Sequence, residues 1–117
     1  MARYALLLRG LESEGDTPSQ MSEEMGELWA EFFADPAIAP SLVAAVPLEP
    51  TPSARTVRLR EGQRLVTDGP FAETREQLGG VILLDVPDHA GAEAIAKQVP
   101  CLQHTSVEVR PLLQPPG

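Results

Sequence analysis

Two nearly uninterrupted apolar runs dominate the pattern of hydrophobic and polar positions along the chain. Residues 4–8 (YALLL) and residues 81–86 (VILLDV) are each the length of one strand. A short continuous apolar run indicates a strand buried on both faces, whereas strict alternation indicates a strand with one polar face. We therefore expect these two segments to be the central strands of a sheet.

Two other segments repeat apolar residues at helical spacing. Ser19 or Ser22 can cap the first of these helices, and Pro36 ends it. Its apolar stripe is Met21, Met25, Leu28, Trp29 and Phe32. The second helix opens at Pro87 and ends at Pro100, with a stripe of Ala92, Ile95, Ala96 and Val99. Both stripes are interpreted as packing in the core.

Alternating polar and apolar positions predict the remaining strands. Residues 56–60 and 63–67 alternate on either side of Glu61-Gly62, where glycine provides the positive φ of a hairpin turn. Residues 106–110 alternate as a last strand. Among the prolines at 36–52, at most residues 42–46 can form a strand, and only at a sheet edge, because proline donates no ladder hydrogen bond.

The predicted order of elements is β-α-β-β-β-α-β, with loops over residues 9–20 and 68–80. This split βαβ pattern is typical of the ferredoxin-like α+β class, with one sheet and both helices on one face. The runs at 4–8 and 81–86 are apolar on both faces, so the opposite face of the sheet also needs cover. We expect a second copy of the chain to provide it.

The composition describes one small acidic domain. The chain has 117 residues, 43% of them hydrophobic, and we assign 1–113 to one domain and 114–117 to a short proline-rich tail. Nine basic residues against 17 acidic ones leave a net charge of −8, which argues against partners such as nucleic acid or an anionic membrane. The first residues are too weakly apolar for a signal peptide, so a cytoplasmic location is expected. The lone Cys101 excludes an internal disulfide.

Residues 68–80 (DGPFAETREQLGG) closely resemble the signature of the DGPF branch of the YCII-related family. TVR at 56–58, LVT at 65–67, LDV at 84–86 and SVEVRP at 106–111 are similar to that family in the same order. The resemblance covers nearly the whole chain and is stronger after residue 55. It implies a dimeric α/β-barrel of ferredoxin-like subunits and, as in some members, an association with alternative sigma-factor systems.

The resemblance also implies a chemistry from which this chain departs. Relatives in the wider family include small enzymes with a His–Asp acid/base pair, one branch acting as a dehydrochlorinase. Here no histidine precedes His89, and the helix that carries the histidine in those enzymes reads WAEFF at 29–33. Glu31 and His104 are the substitutes that the sequence offers. The two histidines lack metal-ligand spacing, so neither a metal nor another cofactor is expected.

Asp68 is the first candidate for a catalytic or binding residue. It leaves a predicted strand just before Gly69, a position from which a carboxylate can act as a general acid or base or hold a ligand. The same position suits an Asx-turn, in which the carboxylate accepts backbone N–H groups, and both interpretations stay open. Phe71 is expected to fill the core or a dimer seam, and Glu73 to lie with residues 74–77 on a pocket rim or in a solvated turn.

Strand alternation also groups the charged residues. Val57 and Leu59 are predicted to face the core together with Val107 and Val109. The opposite face, toward a partner, then carries Arg58, Arg60, Glu108 and Arg110. With Asp68 above them, these charges are suited to polarise a cavity for a small oxygenated or anionic ligand. The alternative is a solvated face or a set of interface ion pairs.

We therefore expect a small homodimeric ligand-binding or regulatory accessory protein. Its site is predicted to contain Asp68, Arg58, Arg110, Phe71 and Glu73. The alternative is a cofactor-free lyase, isomerase or dehydrochlorinase-like enzyme in which Asp68 acts as acid or base, with His104 or Glu31.

Overall fold

A computed structural model of the chain describes residues 2–11, 22–72, 75–100 and 102–113. Within these ranges lie β1 (Ala2–Gly10), α1 (Glu23–Ala34), β2 (Leu42–Pro47), β3 (Arg55–Arg60), β4 (Gln63–Asp68), β5 (Gln77–Val86), α2 (His89–Ala96) and β6 (Thr105–Pro111). The structure has one strand more than the predicted order, because Leu42–Pro47 also forms a strand, and the other helices and strands follow in the predicted order. The predictions for Met21, Glu73, Cys101, most of the loop 9–20 and the tail 114–117 lie outside the described residues.

The main sheet has four antiparallel strands in the order β2-β5-β1-β6. The two apolar runs lie in β1 and β5, which are central as predicted, and β2 is at an edge. With the β3–β4 hairpin set aside, the four strands follow the ferredoxin-like order, in which the first strand lies between the third and the fourth. The fold is α+β and compatible with a ferredoxin-like subunit.

The hydrophobic core lies on one face of this sheet. Alternate residues of β1 and β5 point into it, and both helices add side chains to the same cluster. The strands contribute Tyr4, Leu6, Leu8, Ile82, Leu84 and Val86, and the helices contribute Phe32, Ala92, Ile95 and Ala96. Val107 and Val109 of β6 pack against this cluster as predicted. Both helices therefore lie on one side of the sheet. The other alternate residues of the strands, such as Ala5, Leu7 and Leu83, point to the opposite side, which is called the uncovered face below.

Side-chain caps set where the helices begin. The Ser22 hydroxyl accepts the backbone N–H of Met25 at 3.1 Å, and the Asp88 carboxylate accepts that of Gly91 at 2.9 Å. The second helix ends at Ala96, earlier than predicted, although Val99 is still buried. The core assignment of Leu28 is wrong, because this side chain is exposed on α1.

The strands β3 and β4 form a hairpin that does not join the main sheet. They pair only with each other within the described residues, through a two-residue turn in which Glu61 has φ 49° and Gly62 has φ 79°. The hairpin and its turn are confirmed, but the prediction that Val57 and Leu59 face the core is wrong, since both are exposed. The radius of gyration is 16.1 Å, against about 13 Å for a compact chain of this length.

Two predicted loops are shorter than expected. The strand β1 continues through Arg9 and Gly10, which pair with Leu78 and Gln77 of β5 after a bulge at Leu8/Arg9. Backbone pairing with a neighbouring strand therefore extends both strands into polar, glycine-containing sequence that carries no strand signal of its own.

Candidate functional site

Asp68 is the last residue of β4, and its position in the hairpin determines which side chain it pairs with. It is directly opposite Arg55 of β3, and the Arg55 Nε donates to the Asp68 Oδ1 at 3.1 Å. The Asp68 side chain is 84% exposed. This carboxylate therefore takes part in an exposed cross-strand ion pair, in which its charge is well solvated.

Gly69, which follows Asp68, adopts a backbone conformation that favours glycine. Gly69 has φ 98°, a conformation that L side chains rarely adopt. Its N–H donates to the Ala54 carbonyl at 2.8 Å, and its own carbonyl accepts the Thr56 hydroxyl at 2.8 Å. The start of the DGPF segment is thus tied to the base of the hairpin by two hydrogen bonds.

Arg58 and Phe71 lie together. The Arg58 Nη2 donates to the Phe71 carbonyl at 2.7 Å, and its guanidinium lies 5.2 Å from the centre of the Phe71 ring. The Phe71 ring is largely exposed, so the expectation that it fills the core of its own subunit is not met. The contact fixes the DGPF segment on the polar face of the hairpin.

A second group of charges lies on the uncovered face of the main sheet. Glu108 of β6 accepts the Arg9 Nη1 at 2.7 Å through Oε1, and the Arg110 Nε at 2.9 Å through Oε2. Hydrogen bonding from Arg110, followed by that from Arg9, lowers the pKa of Glu108 from its usual 4.5. Because one carboxylate bridges two guanidinium groups, both arginines are held at one corner of the face and keep a net positive charge there.

A cleft of about 620 Å³ opens beside this corner. Arg9, Leu11, Arg75 and Glu76 line it, from the end of β1 and the segment before β5. Two cationic groups, one carboxylate and one aliphatic side chain form a lining that can hold a small anionic or polar molecule. Arg75 and Glu76 belong to the segment predicted as a pocket rim.

The structure places the remaining candidates apart. Asp68 and Arg58 are on the hairpin, whereas Arg110 and His104 belong to the main sheet and the turn before β6. Glu31 is exposed on α1. The predicted convergence of Arg58 and Arg110 under Asp68 is therefore not formed within one subunit.

The other histidine has a packing role. The His89 ring meets Tyr4 edge-on, with 5.1 Å between ring centres, at the first residue of α2. Among the described residues, no group of three or more His, Cys, Asp and Glu side chains is placed to hold a metal ion. No helix in the described ranges has both the length and the apolar character needed to cross a membrane.

Arg9 is the site residue that sequence reasoning missed. It follows the apolar run at the start of a polar segment that predicts a loop. In the structure Arg9 lies two residues after Leu7 and four after Ala5, on the same uncovered face of the sheet. That alternation is the signal that extends the strand by two residues and brings Arg9 beside Glu108.

The fold and the hairpin define the class as an α+β subunit of ferredoxin-like type with an inserted β-hairpin. The profile of the YCII-related domain matches residues 20–114. The chain therefore belongs to the YCII-related family. It is also 44% identical over 73 residues to an uncharacterized protein of Rhizobium meliloti, a match that covers 60% of this chain and 59% of that protein. The chain thus spans about three-fifths of the length of this curated relative.

Proposed function

We propose that the protein is a homodimeric binding protein for a small anionic or oxygenated ligand, held in the cleft beside Arg9. The observation that carries the proposal is that Arg9 and Arg75 both line one cleft in a chain whose net charge is −8. Cations are rare in this chain, so two of them in one cleft form a local site for an anion.

The chemistry of the cleft favours a carboxylate or a similar planar anion. A guanidinium group presents two parallel N–H donors that match the two oxygens of a carboxylate. Arg9 is oriented by Glu108, so little side-chain freedom is lost when a ligand binds. Arg75 is a second guanidinium in the lining of the cleft, and Leu11 provides an apolar contact.

The homodimer in this proposal is supported by the uncovered sheet face. On that face, Leu7 lies opposite Val81, and Leu83 lies between Ala5 and Ala44, so the middle of the sheet presents an apolar surface. In a lone subunit this surface meets water, whereas a second copy can bury it by sheet-on-sheet packing. The cleft beside Arg9 would then lie at the edge of the shared interface.

The regulatory part of the expectation rests on the family resemblance. On that basis we extend the proposal to a DGPF-type role, with a contact to alternative sigma-factor systems and a cytoplasmic location. Acid/base catalysis at Asp68 has weaker support than binding, because Asp68 is solvated, pairs with Arg55 and does not line the cleft.

Thermal denaturation with a panel of probes tests ligand binding. We expect succinate, benzoate or inorganic phosphate to raise the midpoint temperature at low ionic strength, and the neutral amide succinamide to leave it unchanged. Arg75→Gln is expected to weaken binding by about tenfold, since a charge-assisted hydrogen bond contributes roughly 1.5–3 kcal/mol. Arg60→Gln on the hairpin, outside the cleft, is the matched control. A midpoint that no anion raises, or an effect that survives Arg75→Gln, contradicts the proposed site.

A further inference from the structure

The β3–β4 hairpin, residues 55–68 and called the arm below, has one face that no other segment among the described residues covers. Val57, Leu59 and Val66 lie on this face and are 64%, 62% and 58% exposed. The Arg55–Asp68 ion pair closes the face at one end, and Arg64, opposite Leu59, closes it at the other. Three adjacent exposed aliphatic side chains inside a charged border are typical of a protein contact surface.

The arm is held firmly at its base although it projects. Hydrogen bonds join Gly69 to Ala54 and to Thr56, and Arg58 to Phe71, each at 2.7–2.8 Å. A two-stranded hairpin alone is only marginally stable in water. Because the base of the arm is held by hydrogen bonds and the rest is only marginally stable, we expect the arm to become stable by packing on another surface.

The charge on this face of the arm indicates which partner it fits. Two arginines, Arg55 and Arg64, and one carboxylate, Asp68, give the face a positive net charge, whereas the whole chain has a charge of −8. Two arms facing each other would bring like charges together, which costs free energy. A surface rich in carboxylates is the favourable one, and the rest of this chain provides it.

The helix α1 has the matching surface. It carries four glutamates and no Lys or Arg. Glu24, Glu27, Leu28 and Glu31 follow helical spacing along one exposed side, next to the side that contributes Phe32 to the core. An exposed leucine among three carboxylates complements three aliphatic side chains beside arginines.

We propose that the arm of one protomer packs its Val57, Leu59 and Val66 face against the Glu24–Leu28–Glu31 side of α1 in a second copy of the chain. This contact rests on the homodimer proposed above and adds to its sheet-on-sheet interface. The strands of the arm are about 20 Å long, which equals the depth of one sheet spacing plus one helix layer. An arm of this length is long enough to span from one subunit to the helices of the other, and two-fold symmetry forms the contact twice.

Cysteine cross-linking tests the contact directly. Chains of two different masses, both carrying Cys101→Ser, are mixed, one with Val66→Cys on the arm and the other with Glu27→Cys on α1. We expect oxidation to join the two masses. Thr67→Cys, one residue away on the opposite face of the arm, is the matched control and is expected to stay unlinked to Glu27→Cys. Equal linking by both arm variants, or linking of Val66→Cys to itself alone, overturns the proposal.

Charge reversal provides a second test with variants that keep the fold. We expect Arg64→Glu or Glu27→Arg alone to raise the dimer dissociation constant by about three- to tenfold, and the two together to return it close to the parent value. Arg60→Glu, on the other face of the arm, is the control. Sedimentation equilibrium separates the two proposals. A monomer at every concentration overturns the homodimer and the arm contact, whereas a dimer indifferent to Arg64→Glu overturns the arm contact alone.

Discussion

Leu83 and Leu84 are adjacent in β5 but face opposite sides of the main sheet, so together they test what covers each side. Leu84 is fully buried and lies between Tyr4 of β1 and Leu42 of β2. Leu83 lies between Ala5 and Ala44 on the uncovered face. The substitutions Leu84→Ala and Leu83→Ala remove the same atoms from these two environments.

The expected costs follow from burial. Leu84→Ala removes a side chain that contacts no water and leaves a cavity among strands and helices, which costs about 3–4 kcal/mol of the free energy of unfolding. Leu83→Ala is expected to cost about 1 kcal/mol in an isolated subunit, because that side chain is already partly exposed to water. In a homodimer that buries the face, the cost of Leu83→Ala rises toward that of Leu84→Ala.

Urea unfolding followed by circular dichroism at two protein concentrations measures both effects. A dimer is expected to gain about 2.7 kcal/mol of apparent stability over a hundredfold rise in concentration. The Leu83→Ala variant should lose most of that gain, whereas Leu84→Ala should lose stability equally at both concentrations. A cost below about 1 kcal/mol for Leu84→Ala refutes the assignment of the core side. A stability that is independent of concentration refutes the buried sheet face.

Three further predictions concern the site and the hairpin. Gly69→Ala is expected to destabilise the fold by about 1 kcal/mol or more, because φ 98° strains any L side chain, and chemical denaturation measures this. Since Arg110 and Arg9 lower the pKa of Glu108 in the folded protein, its carboxylate stabilises the fold at neutral pH, and that stabilisation is lost as the pH falls below 4.5. Unfolding titrations between neutral and acid pH should therefore show a smaller loss for Glu108→Gln than for the parent protein. Asp68→Asn is expected to change stability by less than about 1 kcal/mol, since its ion pair with Arg55 is exposed, and a larger loss would show a role beyond that pair.

Local patterns in the sequence were sufficient for most of the elements. The apolar runs at 4–8 and 81–86 predicted the two central strands, because only a strand covered on both faces tolerates such sequence. Ser22 and Asp88 predicted where the two helices begin, and Glu61-Gly62 predicted the hairpin turn. Such features can be predicted because caps and tight turns depend on a few neighbouring residues.

The candidate site was less accessible to such reasoning. The alternation of residues 56–60 correctly separated Val57 and Leu59 from Arg58 and Arg60. The prediction that this strand belongs to the main sheet is wrong. Alternation shows which side chains share a face, but it does not show what covers that face. The same limit hid the partnership of Arg9 with Glu108, which depends on pairing between residues far apart in the chain.

The sequence by itself determined most of the helices and strands, the two central strands and a chain with few cations. These properties are local or compositional, and they are set by backbone preferences and by which side chains avoid water. Only the tertiary structure decided that the hairpin leaves the main sheet and that Arg9 and Arg75 line one cleft. Both outcomes depend on long-range strand pairing, whose free energy is shared among many residues and is not carried by any single segment.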